Sequence, residues 1–254
     1  MGGVKVKICG LKREDDVRLC MKPGVDILGL VVEYPLPVPW NLGRAAALQL
    51  LSLIRPPWES CIVTGGSPDK VIELAVRLRP SMVQLHYKET LGETIIISES
   101  LRKLNIGVIK TIPLVREDCI CQFGTADIEA IIGELCRTNV FGLLVDSRGP
   151  SNAPANGTAL DPEFCARVIN LSSKPVIIAG GINAGNVSKI LRQTGAGFID
   201  VMTGVESSPG KKEARSLSGL LKAIQSTGEQ RPPGFGQVQG PRRTVLSNPS
   251  GFVK

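Results

Sequence analysis

Short apolar runs recur along this chain at residues 4–9, 27–32, 60–64, 82–85, 107–111, 141–146, 176–179 and 198–201. Most are nearly continuous rather than alternating, as in ILGLVV and FGLLVD, which is the pattern of parallel strands covered on both faces. Helix-length segments separate them. Ser67 stands as an N-cap before Pro68, with Val71, Leu74, Ala75 and Leu78 behind it, and Asp161 stands likewise before Pro162, Phe164 and Val168. Asn183 is expected to cap a helix that runs through Ile190 and Leu191. The fourth unit conflicts locally, because ETIIISES at residues 93–100 puts a β-branched run where a helix is required. Eight strand–helix units in series predict an α/β chain folded as one (β/α)8 TIM barrel with a flexible C-terminal tail. An open doubly wound sheet usually carries a glycine fingerprint after its first strand, and ICGLKRED has none.

The texture changes after Gln225 to a Gly- and Pro-rich polar stretch without periodicity. The chain is therefore divided into a catalytic barrel at residues 1–227 and a basic tail at 228–254, read as a disordered extension ahead of a partner-binding or lid role. Composition changes this picture little: 43% of residues are hydrophobic but only 4% aromatic, so the core is aliphatic. Charge needs its distribution. The net charge is +7, and Arg231, Arg242, Arg243 and Lys254 against Glu229 place +3 of it at the far end. The body's modest excess suits a small anionic, phosphorylated molecule, and no stretch interleaves basic with aromatic residues as a nucleic-acid surface would. Seven scattered cysteines read as reduced thiols, and with His86 as the single histidine neither a zinc cluster nor another metal site is expected. The opening MGGVKVKICG has no apolar core, and no run approaches a membrane span, so a cytoplasmic protein without a membrane partner is expected.

In closed barrels the chemistry gathers at the carboxyl ends of the strands. Cys9 closes the first strand and Asp146 the sixth. Cys9 reads either as a small buried hydrophobe or, beside Lys7, as a partly ionised base or nucleophile. Asp146 reads either as a turn cap or, behind the apolar LLV, as a carboxyl that donates a proton near neutrality. Gly180 and Gly181 after the seventh strand, and Gly204 after the eighth, allow backbone amides to approach an anion, with a short extra helix expected to follow Gly204. His86 and Asp200 are given supporting roles at the mouth. Lys211 and Lys212 read as a solvated helix start, and Trp40 as either rim packing or part of the mouth.

KICGLKREDDV, VQLH, LLVDS, IIAGGINAGNV and IDVMTGVESSPGKKE, in this order and spanning residues 4 to about 225, resemble the phosphoribosylanthranilate isomerase family of tryptophan biosynthesis. The resemblance implies an Amadori rearrangement of N-(5-phosphoribosyl)anthranilate, with Cys9 as general base and Asp146 as general acid. It also implies a phosphate held on amides around Gly180, Gly181, Thr203 and Gly204, positioning roles for Lys7, His86 and Asp200, and no metal or redox cofactor. A monomer or homodimer is expected. The family pattern has an arginine near position 39 that would pair with the anthranilate carboxylate, whereas this chain has EYPLPVPWN there, with Arg44 expected on the following helix. The loop after the sixth strand keeps only Asn156, Gly157 and Thr158 of the family segment, and Tyr87 replaces a glycine after His86. Two alternatives follow: a diverged member acting on another sugar-phosphate-like substrate, or a non-catalytic ligand-binding barrel.

Overall fold

In the computed structural model, which describes residues 3–147 and 160–229, eight parallel strands close on themselves. They are β1 (Lys5–Ile8), β2 (Ile27–Val32), β3 (Glu59–Thr64), β4 (Met82–Leu85), β5 (Gly107–Ile112), β6 (Gly142–Asp146), β7 (Val176–Ala179) and β8 (Phe198–Val201). β1 pairs in parallel with both β2 and β8, which shuts the ring and leaves no barrel strand with an unpaired edge. The helices α1 (Glu14–Cys20), α2 (Arg44–Leu51), α3 (Pro68–Leu78), α4 (Leu91–Arg102), α5 (Arg116–Phe123), α6 (Ile128–Arg137), α7 (Pro162–Leu171), α8 (Val187–Thr194) and α9 (Ala214–Glu229) lie between and after the strands. β5 and β6 are joined by two helices rather than one.

Local sequence explains most helix starts. The Ser67 hydroxyl accepts from the Lys70 amide, and the Asp161 carboxylate accepts from the amides of Glu163 and Phe164, each ahead of a proline at the first helical position. The ETIIISES segment is helical after all. Thr90 and Glu93 form a reciprocal capping box, and Thr94, Ile97, Ser98 and Leu101 turn one face inward. Those gains outweigh the few tenths of a kcal/mol that each β-branched residue costs in a helix. Asn183 does not begin α8, which starts four residues later at Val187. Its side chain instead accepts from the Gly185 amide while Asn186 accepts from the Asn183 amide, so the pair closes a tight turn.

Three apolar clusters follow from the alternation of side chains across the strands. The largest lies between the outside of the barrel and its helices, a second fills the barrel interior around Ile27, Cys61, Met82, Ile109, Leu144, Ile177 and Phe198, and a third caps it near Cys9, Val31, Trp40 and Val63. At the end of α9 the Thr227 hydroxyl donates to Ala223 O, fixing the last turns. Residues 230–254, most of the segment read as a tail, lie outside the described residues, as do Asn156, Gly157 and Thr158. No helix among the described residues is long and apolar enough to cross a membrane.

Candidate active site

The interior face of β1 carries Lys7 and then Cys9 upward toward the mouth. Both are packed over Gly29 of β2, where an added Cβ would lie 2.8 Å from the Cys9 Sγ and 3.1 Å from the Lys7 Cε. Only a residue without a side chain leaves room for them. The Lys7 Nζ is fully buried and donates to Asp200 Oδ2 at 2.5 Å and to Gln84 Oε1 at 2.9 Å. Burial alone would pull the Lys7 ammonium down, but the Asp200 carboxylate, with Cys9 and Cys61 nearby, more than reverses this and holds it above its ordinary value. Lys7 and Asp200 thus form a charged floor beneath the mouth rather than part of its open rim.

Cys9 is 4% exposed. Burial pushes its thiol up, and although Lys7 opposes this, the net shift is upward. Of the two sequence readings of Cys9, this environment favours the protonated thiol at rest, because desolvation of the anion exceeds its attraction to the ammonium. Met202, Val38 and Tyr34 pack against the small apolar cluster that Cys9 forms with Val31, Trp40 and Val63.

Asp146 ends β6 on the far side of the same mouth, in register with Ala179 of β7. The His86 Nε2 lies 3.2 Å from Asp146 Oδ2 and donates to it in the tautomer that carries its proton there. His86 is in turn framed by Tyr34, whose hydroxyl donates to the His86 carbonyl at 2.8 Å and whose ring meets the imidazole edge-on. Tyr34 was not singled out from the sequence. It belongs to the loop after β2 and is steered inward by Asn41, which exchanges two hydrogen bonds with its backbone.

The loops after β7 and β8 do come together. An alanine Cβ at Gly204 would sit 1.9 Å from the Ile182 carbonyl oxygen, and one at Gly180 would sit 2.0 Å from the Ser147 Oγ. These two glycines serve loop-to-loop packing. Gly181, with φ +64 and nothing within 4 Å of where its Cβ would be, and the exposed Thr203 present approachable backbone at the rim. The extra helix expected after Gly204 is a single 3-10 turn, Thr203–Val205, followed by a hairpin that pairs Glu206–Ser208 with Lys211–Lys212. Within this hairpin Lys212 is buried rather than solvated. Its Nζ donates to Glu206 Oε1 at 2.7 Å and to Met202 O, while Trp40 Nε1 donates to the same Glu206 carboxylate. Lys211 is exposed as expected. No spacing in the sequence points to this Trp40–Glu206–Lys212 clasp, because its members are brought together only by barrel closure.

Arg44 opens α2, and its guanidinium is committed to both oxygens of Glu33 and to Glu73. It is not a free cation at the mouth.

A closed parallel barrel whose titratable groups collect at the carboxyl ends of its strands belongs to the class of (β/α)8 proteins that work at that rim. Within that class the family is shown by comparison. Residues 6–223 match the family model described as N-(5'phosphoribosyl)anthranilate (PRA) isomerase, and the chain belongs to that family. It is 32% identical over 225 residues to the N-(5'-phosphoribosyl)anthranilate isomerase of Nitrobacter winogradskyi, covering 87% of this chain and 92% of that protein. The phosphoribosyl anthranilate isomerase of Thermus thermophilus is similar in structure, with TM-score 0.67 at 26% identity over 87% of this chain and 98% of that one. A phosphoribosyl anthranilate isomerase solved with reduced 1-(o-carboxyphenylamino)-1-deoxyribulose 5-phosphate shares the fold, with TM-score 0.69 at 23% identity over 88% and 99% of the two chains.

Proposed function

We propose that this chain isomerises N-(5'-phosphoribosyl)anthranilate to the 1-amino-ketose by an Amadori rearrangement, with Asp146 as the acid and Cys9 as the base. Asp146 gives a proton to the ribose ring oxygen, and the ring opens to a protonated Schiff base. The Cys9 thiolate then removes the proton from C2, leaving an enolamine that tautomerises to the ketone. Water returns a proton to Asp146, and Cys9, which had given its thiol proton to water before taking the one from C2, is back in its resting thiol form. The observation that carries this reading is the placement of a thiol over an ammonium and a carboxylate beside an imidazole at opposite sides of one mouth. Family membership supports the substrate. A buried thiolate is scarce at neutrality but strongly basic when formed, and the Lys7 ammonium beneath it favours its formation. The phosphate is proposed to lie on backbone amides around Gly180, Gly181, Thr203 and Gly204, of which Gly180 and Gly204 also let the two loops pack closely. Lys7, Asp200 and His86 position the two proton-carrying groups. The partner is a small phosphorylated molecule rather than nucleic acid or membrane, and the chain acts in the cytoplasm as a monomer or homodimer.

A second reading, a relative acting on another amino-sugar phosphate, draws on one observation: residues 33–43, EYPLPVPWNLG, carry no cation. One assay separates the two. Purified protein is given fresh phosphoribosylanthranilate and the loss of its fluorescence is followed, with Cys9→Ala and Asp146→Asn in parallel. Turnover by the wild type and a fall of about 10²–10⁴ in kcat/KM for each variant are expected. No turnover by the wild type removes the first reading in favour of the second, and turnover that survives both substitutions overturns the roles of Cys9 and Asp146.

A further inference from the structure

The substrate of the proposed reaction carries a carboxylate on its aromatic ring, and the loop after β2 supplies no cation to meet it. We propose that Lys12, in the loop after β1, is the cationic contact that selects this carboxylate. The inference rests on the reading above and names a specificity-determining residue for it.

Lys12 is held at the rim by two neighbouring loops. Its Nζ donates to the Pro39 carbonyl at 2.6 Å, one residue before the Trp40 that packs with Cys9. Its stem lies on Gly210 of the hairpin after β8, where an added Cβ would come within 2.7 Å of the Lys12 Cδ, and Gly210 adopts φ +77. A glycine at that turn thus leaves the channel through which the lysine reaches the loop after β2. The end of the side chain is fixed on a neutral carbonyl, which uses one of its three N–H donors and neutralises none of its charge. The remaining donors are available to a ligand in the mouth beside Tyr34, Val38 and Trp40, the apolar wall suited to an aromatic ring.

Several of the other cations near the mouth, among the described residues, are committed elsewhere. Arg13 makes two hydrogen bonds to the Asp16 carboxylate, Arg44 is held by Glu33 and Glu73, Lys7 by Asp200, and Lys212 by Glu206. Lys70 donates to the carbonyls of Glu33 and Gly65 with the carboxylates of Glu33 and Glu89 close by. Lys88, Arg116 and Lys211 are exposed, so solvent screens them. A point charge on a flexible stem makes a weaker and less directional contact than an arginine fork, so Lys12 tolerates a range of carboxylate positions.

The test reads binding, so that it stands apart from turnover. Affinities of reduced 1-(o-carboxyphenylamino)-1-deoxyribulose 5-phosphate and of its counterpart lacking the carboxyl group are measured by calorimetry for the wild type, Lys12→Met, Lys12→Arg and Lys88→Met. The wild type, Lys12→Arg and Lys88→Met are expected to favour the carboxylated ligand by about tenfold or more, the worth of one charge-assisted hydrogen bond. Lys12→Met, which keeps the stem, is expected to bring the ratio near one by weakening only the carboxylated ligand. The proposal is overturned if Lys12→Met keeps the preference, if Lys88→Met loses it, or if the wild type binds both ligands equally. Failure of the wild type to bind either ligand overturns the isomerase reading and this contact with it. Normal turnover of phosphoribosylanthranilate together with equal binding overturns the role of Lys12 alone.

Discussion

Replacing Lys7 with methionine removes a charge while nearly preserving the volume and length of the side chain. Lys7 is fully buried and Asp200 is 6% exposed, and their contact of 2.5 Å is reinforced by Gln84. Asp200 Oδ1 has no hydrogen-bond partner of its own. Without the ammonium, a buried carboxylate is left inside the barrel without its counter-ion. Breaking such a buried pair costs about 3–5 kcal/mol, which for a chain of this size lowers the thermal midpoint by about 6–20 °C. The double variant Lys7→Met/Asp200→Asn removes both charges and is expected to recover a large part of that loss, because the pair itself contributes little net stability once its desolvation is counted. Differential scanning calorimetry of the wild type, the single variant and the double variant measures this. A midpoint for Lys7→Met within about 2 °C of wild type, or a double variant no more stable than the single one, would refute the picture of a charged floor held by mutual compensation. A second readout ties the floor to the chemistry. Lys7 lowers the Cys9 thiol by more than Asp200 raises it, so the double variant, though refolded, is expected to need higher pH for the same kcat/KM.

Alkaline stability follows from other buried thiols: burial pushes Cys20, Cys61 and Cys165 from the usual 9.0 up to about 12. A group raised on folding contributes stability that is full below its unfolded value and lost as pH rises through the folded one, so each thiol lowers stability by up to about 1.4 kcal/mol per pH unit between about pH 9 and 12. Denaturant titrations at pH 8 and pH 10.5 should show that drop, and Cys61→Ala should lessen it; equal slopes for both proteins would contradict the assignment. Gly204→Ala, forced against the Ile182 carbonyl, should cost about 1–3 kcal/mol and loosen the rim, whereas Gly181→Ala meets open space and should cost only about 1–2 kcal/mol of backbone strain. Thermal unfolding with and without inorganic phosphate separates the two effects, since only the first displaces both loops. Arg44→Met, which breaks partly exposed ion pairs, should change stability by no more than about 1 kcal/mol and leave KM unaltered. A large rise in KM would instead make Arg44 a substrate contact.

The barrel was legible because its signals are local. Eight buried apolar runs, the Ser67–Pro68 and Asp161–Pro162 helix starts, and Cys9 and Asp146 at strand ends each occupy a few adjacent residues. The side-chain period of a strand then fixes that Lys7 and Cys9 face the same way. What lay beyond reach depends on residues far apart in the chain. Lys12 meets Pro39, Trp40 meets Glu206, Lys212 meets Asp16, and Lys7 meets Asp200 across 193 residues. Even the behaviour of single groups turned on this. The sequence placed Lys7 beside Cys9, but only the closed barrel shows that desolvation of the thiol exceeds the pull of the ammonium. Likewise the sequence marked Gly180 and Gly204 as positions without a side chain, while their neighbours Ser147 and Ile182, met only on folding, give the reason. The sequence by itself therefore determined the class of fold and placed Cys9 and Asp146, the two groups proposed to carry protons, at strand ends, since propensity and period act over a few residues. Tertiary structure decided which of the described charges are neutralised, because burial and Coulomb interaction depend on distance in space rather than along the chain.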